Sequence, residues 1–263
     1  MVTDRYTVEA VAKALDVLEA FRSSESLTLA EISERVGLNK SRVFRMLHTL
    51  AERGYVEKNA DGAHYELGIK LLERAACVRR DLRQLALPFM RQLHEKFNET
   101  VNLAVLDNHE VLYIEMLESS RSIRMAEGIG YRSPIHATAL GKVIAAHLPD
   151  SELKSVLESI SMTKLTDRTI TTLAKLKSEL EKVRNNGYAV DDGESDPEAF
   201  CIGVPILDRD RRPIAAISVS GPTERVYRER LEITESLMEI CDRISKKIGF
   251  ADSASVGGQV RIR

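Results

Sequence analysis

The chain has 263 residues, 43% of them hydrophobic and 30% charged, the composition of a soluble globular protein with room for one small and one medium domain. A formal net charge of −2 excludes a global field that would drive it onto nucleic acid, so DNA contact requires a local basic patch. The polar start MVTDRYTVEA is no signal peptide and no 18-residue apolar run follows, which predicts a cytoplasmic protein without a membrane partner. Cys77, Cys201 and Cys241 are odd in number and lack a paired C-x-x-C, so they read as reduced thiols and no metal site is expected.

Residues 8–21 place Val8, Val11, Ala12, Leu15, Leu18 and Phe21 at helical spacing, which predicts a helix burying that stripe against the segment that follows. After a loop at 23–26, Thr28 and Glu31 have the spacing of a capping box. Two short helical patterns then meet at a glycine, with Leu29, Ile32 and Val36 on one face of the first and Val43, Leu47 and Leu50 on one face of the second. Gly37 suits the left-handed conformation of a tight inter-helix turn, Leu38 plugs the core and Asn39 caps the second helix. This is the pattern of a helix-turn-helix.

The second helix turns Lys40, Ser41, Arg42, Arg45, His48 and Thr49 outward, residue types that pair with phosphates or base edges in a major groove. The plainer reading is a solvated basic face on a helical hairpin. Against it stands the hairpin expected next: Tyr55–Lys58 and Ala63–Leu67 read as strands around an Asn59–Gly62 turn, which makes the wing of a winged helix-turn-helix. Lys58 and His64 on that wing can lie along phosphates or stand idle at the surface.

Residues 69–86 contain no Pro or Gly and predict a linker helix, with Pro88 opening the next helix and Leu85, Phe89, Leu93 and Phe97 its buried face. From Thr100 the period becomes two: strands are expected at 101–105, 111–115, 122–126, 188–190, 201–207 and 214–220. Helices are expected at 139–148, 150–159, 172–186 and 227–248. The fold class is therefore α+β, with helices packed on an antiparallel sheet. The expected divisions are a DNA-binding domain at 1–68, the linker at 69–86, a second domain at 87–250 and a disordered tail at 251–263.

The stretches GLNKSRVFRMLHTLAERGYVEKNADGAHYELG, ETVNLAVLD, SPIHATALGK, VRNNGYAVDD and CIGVPILDRDRRPIAAISVSGP resemble the IclR family of bacterial transcriptional regulators, in order and spacing across both domains. The resemblance implies a GAF-like second domain that binds a small organic, keto or sugar acid. It carries effector contacts onto Ala139 and Leu140, Asp191, Cys201, Ser218 and Ser220. Independently of it, Ser218 and Ser220 lie two apart on one strand and share a face, and the helix start near Ala139–Gly141 offers N–H groups to an anion. The plainer alternatives are small residues easing close packing at 218 and 220, a buried hydrophobe at Cys201, a turn-closing Asp191 and a locally bonded His136.

Where the family often has Gly-x-Arg before the cysteine, this chain has Glu198-Ala199-Phe200, with Ser195-Asp196-Pro197 upstream, which predicts a reshaped pocket. Cys201, His136 and Asp191 also allow a thiol-dependent enzyme to be drawn, but no nucleophile elbow, phosphate-cradling loop or H-E-x-x-H accompanies them. No catalytic residue and no cofactor are expected. The expected mechanism is a repressor, with activation as the alternative, that binds a palindromic operator as a homodimer or dimer of dimers and responds to its effector.

Overall fold

A computed structural model of the chain describes residues 6–21, 26–59, 62–75, 80–125 and 128–255. They form two compact units, Met1–Arg80 and Asp81–Arg263. Cys77 and the middle of the expected linker helix lie outside the described residues, as do Ala60 and Asp61 of the wing turn and residues 256–263.

The first unit consists of α1 (Glu9–Glu19), β1 (Leu27–Thr28), α2 (Leu29–Val36), α3 (Lys40–Glu52), β2 (Val56–Lys58), β3 (His64–Leu67) and α4 (Lys70–Ala75). Thr28 and Glu31 cap α2 reciprocally, each side chain bonding the other's main-chain N–H. Gly37 closes α2 at φ +67°, and Asn39 Oδ1 accepts from Arg42 N–H at 2.9 Å to start α3. Ile32, Val43, Leu47, Val56 and Tyr65 form the core with Val17 and Phe21. The strands make an antiparallel sheet ordered β1-β3-β2, in which Leu27 opposite Tyr65 is a third strand too short for its sequence to announce.

The apolar stripe expected to be buried on α1 is in part the outward one. Val8, Val11 and Leu15 are exposed, while Val17, Ala20 and Phe21 are buried. The segment is apolar on two sides, and Val17 falls about 180° around the helix from Val8, so periodicity alone could not choose the inner face.

In the second unit, α5 (Arg80–Phe97) precedes β4 (Thr100–Asp107), β5 (Glu110–Leu117) and β6 (Arg132–Pro134). A 3₁₀ turn (Ile135–Ala137) leads into α6 (Ala139–His147), α7 (Asp150–Ser159) and α8 (Leu173–Asn186). Then come β7 (Ala189–Asp192), β8 (Ala199–Leu207), β9 (Pro213–Pro222), α9 (Thr223–Arg228) and α10 (Arg230–Ser255). The sheet is antiparallel with order β6-β5-β4-β9-β8-β7. Strand alternation gives its two faces different contents. Val101, Leu103, Val105, Phe200, Ile202, Val204, Ile217 and Val219 join α5 and α10 in one core. The opposite face carries smaller or polar side chains, Asn102, Ala104, Cys201, Ala216, Ser218 and Ser220, toward α6 and α8.

The structure departs from the sequence-based expectation at three points. Pro88 lies inside α5, not at its start; it has no N–H for the carbonyl one turn back, and the helix is held by burial of Ala86, Phe89, Met90 and Leu93. Residues 122–125 are not a strand: Thr100 Oγ1 donates to Met125 O at 2.8 Å and Arg225 Nη2 to Ile123 O at 2.9 Å, so side chains claim the carbonyls a ladder would use. The sheet edge is β6 instead, paired with β5. The last helix is broken at Glu229 into α9 and α10, the second of which spans Arg230–Ser255.

Candidate nucleic-acid interface and ligand cavity

Lys40, Ser41, Arg42, Arg45, His48 and Thr49 are all exposed on α3, and Lys58 is exposed on β2. Their partners are weak or local. Arg42 Nη2 lies 3.7 Å from Glu9 Oε1 and His48 Nε2 3.6 Å from Glu52 Oε1, exposed pairs that a phosphate can outcompete. Thr49 Oγ1 donates to Arg45 O at 2.9 Å, so its one proton is used within the helix and it is a poorer phosphate donor than Ser41. Lys58 Nζ sits 5.6 Å from the centre of the Tyr65 ring. The outward set also includes Phe44, half exposed and stacked on His48, which the sequence reading missed.

The second unit holds a cavity of about 170 Å³ between the polar sheet face and the start of α6. All the residues expected at the effector site, Ala139, Leu140, Asp191, Cys201, Ser218 and Ser220, line it. Thr138 Oγ1 accepts from Gly141 N–H at 3.1 Å, and the first-turn N–H groups of Ala139 and Leu140 have no acceptor within the helix. A Cβ at Gly141 would stand 2.5 Å from Ile135 Cα, so glycine lets α6 begin directly against the 3₁₀ turn. Asn102 Nδ2 donates to both Ser218 Oγ and Ser220 Oγ at 3.3 Å, which fixes the hydroxyls on the floor of the cavity.

Asp191 is fully buried and organises the next turn: Oδ1 accepts from Glu194 N–H at 2.7 Å and Ser195 N–H at 3.3 Å, and Oδ2 accepts from Ser195 Oγ. Burial pushes its carboxyl above the usual range against these hydrogen bonds and Lys142. Lys142, with no exposed surface, pairs with Glu194, whose carboxyl burial raises to about 7 although the lysine opposes the rise. The turn is held from outside by Thr166 and Thr169, which donate to Gly193 O at 2.6 Å and Glu194 O at 2.7 Å.

Tyr113, Met125, Tyr131 and Thr138, not expected there from the sequence, also line the cavity, as do Ser195 and Asp196 of the stretch upstream of Cys201. Met125 is held there by the contact of its carbonyl with Thr100. Buried Glu99 accepts from Arg225 Nε and Nη2 at 2.6 and 2.8 Å and from Arg121 at 2.7 Å, tying down the same loop. These residues lie far apart in sequence, and only strand register joins them.

Phe200 is not among the described residues that line the cavity. It alternates with Cys201 on β8 and therefore faces the other core, edge-on to Tyr227 at 5.4 Å. His136 is buried with Nε2 2.9 Å from Thr163 O and is not part of the lining, so Cys201, His136 and Asp191 do not gather as a catalytic set. A larger, more open groove of about 620 Å³ lies elsewhere in this unit beside His147, Arg184 and Arg211, and contains none of the expected effector residues.

Residues 10–60 match the IclR helix-turn-helix domain and residues 74–247 the C-terminal domain of bacterial IclR transcriptional regulators. The chain belongs to the IclR family. Among IclR-family relatives, it is 35% identical to the HTH-type transcriptional regulator KdgR of Escherichia coli over 94% of this chain and 95% of that protein. It is 31% identical to the transcriptional repressor IclR of Escherichia coli, over 85% and 84%. It also resembles the structure of an IclR homolog from Microbacterium hydrocarbonoxydans complexed with 4-hydroxybenzoate, with a TM-score of 0.83 and 28% identity over 91% and 98% of the two chains. The IclR-family matches are DNA-binding transcriptional regulators, several of them repressors, and not enzymes. Among the described residues no helix is long and apolar enough to cross a membrane.

Proposed function

We propose that the protein is a cytoplasmic repressor that binds a palindromic operator as a homodimer or dimer of dimers and is switched by a small organic acid in the second unit. In this reading residues 1–68 read DNA, 69–86 connect and 87–250 sense the effector. The observation that carries it is the pairing in one chain of an outward basic face on α3 with a small cavity whose polar groups converge. The cavity is below the roughly 300–1,000 Å³ of drug-sized sites, which suits a molecule of few heavy atoms. Among the described residues none of the side chains lining it is Lys, Arg or His, so the acid's charge rests on the N–H groups of Ala139 and Leu140 and the hydroxyls of Ser218 and Ser220. Asp191 and Asp196 favour an acid that also carries a hydrogen-bond donor. The relative complexed with 4-hydroxybenzoate, a hydroxy acid, supports this class.

A single winged helix reads one half-site, so specific binding calls for two units in register. The exposed apolar residues Val8, Val11 and Leu15, with Ile69 and Leu72, supply a surface for that pairing.

Thermal unfolding of the full-length protein with pyruvate, gluconate and 4-hydroxybenzoate tests the effector site. A bound acid at about 100 times its Kd raises Tm by about 5–10 °C. Replacing Ser218 and Ser220 by Ala removes the shift. If no acid of the three classes moves Tm, the organic-acid reading fails.

A further inference from the structure

The first unit's core explains every large apolar side chain of α3 except one. Val43 and Leu47 are fully buried and Met46 and Leu50 pack against the core, but Phe44 is 50% exposed and belongs to no core cluster. It shares the outward face with Ser41, Arg45 and His48, at spacings of three and four residues. Its ring stacks on His48 with centroids 6.3 Å apart and planes 8° apart. A helix that needed only phosphate contacts would gain from a polar side chain at this position and lose nothing in packing.

We propose that Phe44 is a specificity-determining residue that reads thymine in the operator by packing on its C5-methyl group. The methyl group is the only apolar feature that a base pair offers in the major groove, and an aromatic ring among cationic and hydroxyl side chains complements it. The neighbours take the other contacts: Arg42 and Arg45 suit guanine edges or phosphates, and Ser41 a phosphate. The stack with His48 limits the ring's freedom before DNA arrives, which lowers the ordering cost of the contact. This assignment rests on the reading of α3 as the recognition helix.

The test uses the full-length protein and a duplex that it selects from a random-sequence pool, remade with uracil in place of thymine at one position at a time. Uracil removes the methyl group and leaves the pairing and polar edges unchanged. For the wild type, at least one uracil per half-site weakens binding about fourfold, the worth of one buried methyl group. Phe44→Ala binds the thymine duplex more weakly and does not distinguish thymine from uracil, and Phe44→Leu keeps part of the discrimination. Arg45→Ala weakens binding to both duplexes and keeps the uracil penalty. The proposal is overturned if no thymine methyl matters to the wild type, or if Phe44→Ala retains the full penalty. If Arg42→Ala, Arg45→Ala and Phe44→Ala all bind as the wild type does, the recognition-helix reading itself falls.

Discussion

Lys142 has no exposed surface, and its ammonium is held by Glu194, whose neighbour Asp191 adds a second buried carboxyl. Removing one partner of such a group leaves a buried charge uncompensated, so the cluster fixes the turn at 193–196 that walls the cavity. Burial raises the carboxyls of both Glu194 and Asp191. An acid whose folded pKa exceeds its unfolded value binds its proton more tightly when folded; its contribution is fully present below the unfolded value and is lost as pH rises through the folded one. For Glu194 that window runs from about 4.5 to about 7. The Tm of the wild type relative to Glu194→Gln should therefore fall between pH 5 and pH 8, read by calorimetry of the full chain. A difference that grows with pH would mean that Lys142 dominates and holds the carboxylate ionised. Of this cluster only Asp191 was singled out in the sequence; Lys142 and Glu194 lie in different segments, and their contact depends on how α6 packs beside β7. Ser218 and Ser220 were legible as a pair, because a period of two assigns them one face; Asn102, which binds both, needs the register that sets it opposite Ser218.

Helix α1 shows what periodicity gives and what it withholds. Its helical spacing is plain in the sequence, but it carries apolar residues on both sides, and the core takes Val17, Ala20 and Phe21 while Val11 and Leu15 stay outside. Such a stripe, left exposed next to Val8, fits a subunit contact. Replacing Val11 and Leu15 by Glu should leave the helical signal and the fold intact and shift the protein to monomer in sedimentation velocity, with loss of operator binding. An unchanged oligomer would move the dimer surface elsewhere. The strand expected at 122–126 failed for a different reason: its alternation is real, but Thr100 and Arg225 capture its carbonyls. Side-chain competition of this kind leaves no local trace.

At the scale of the molecule, two units with separate cores divide the tasks, one presenting a basic helix face and the other enclosing a polar cavity. The sequence makes the first task legible because a helix-turn-helix is built from local signals, a cap, a left-handed glycine and a helical stripe. The cavity is non-local: the period of two gives Ser218 and Ser220 one face, and only a family resemblance joins them in the sequence to Asp191 and Cys201. Phe200 stands where the family often has a cation, and strand alternation turns it away from the cavity. In the proposed function the two tasks are joined by a coupling free energy between effector and operator, which must act in both directions. The most direct test is to measure operator affinity of the full-length protein by fluorescence anisotropy, with and without the acid that raises Tm. A change of about fivefold or more, abolished when Ser218 and Ser220 are replaced by Ala, is the result expected of a ligand-gated regulator. Saturation of the cavity with no change in operator affinity would contradict it.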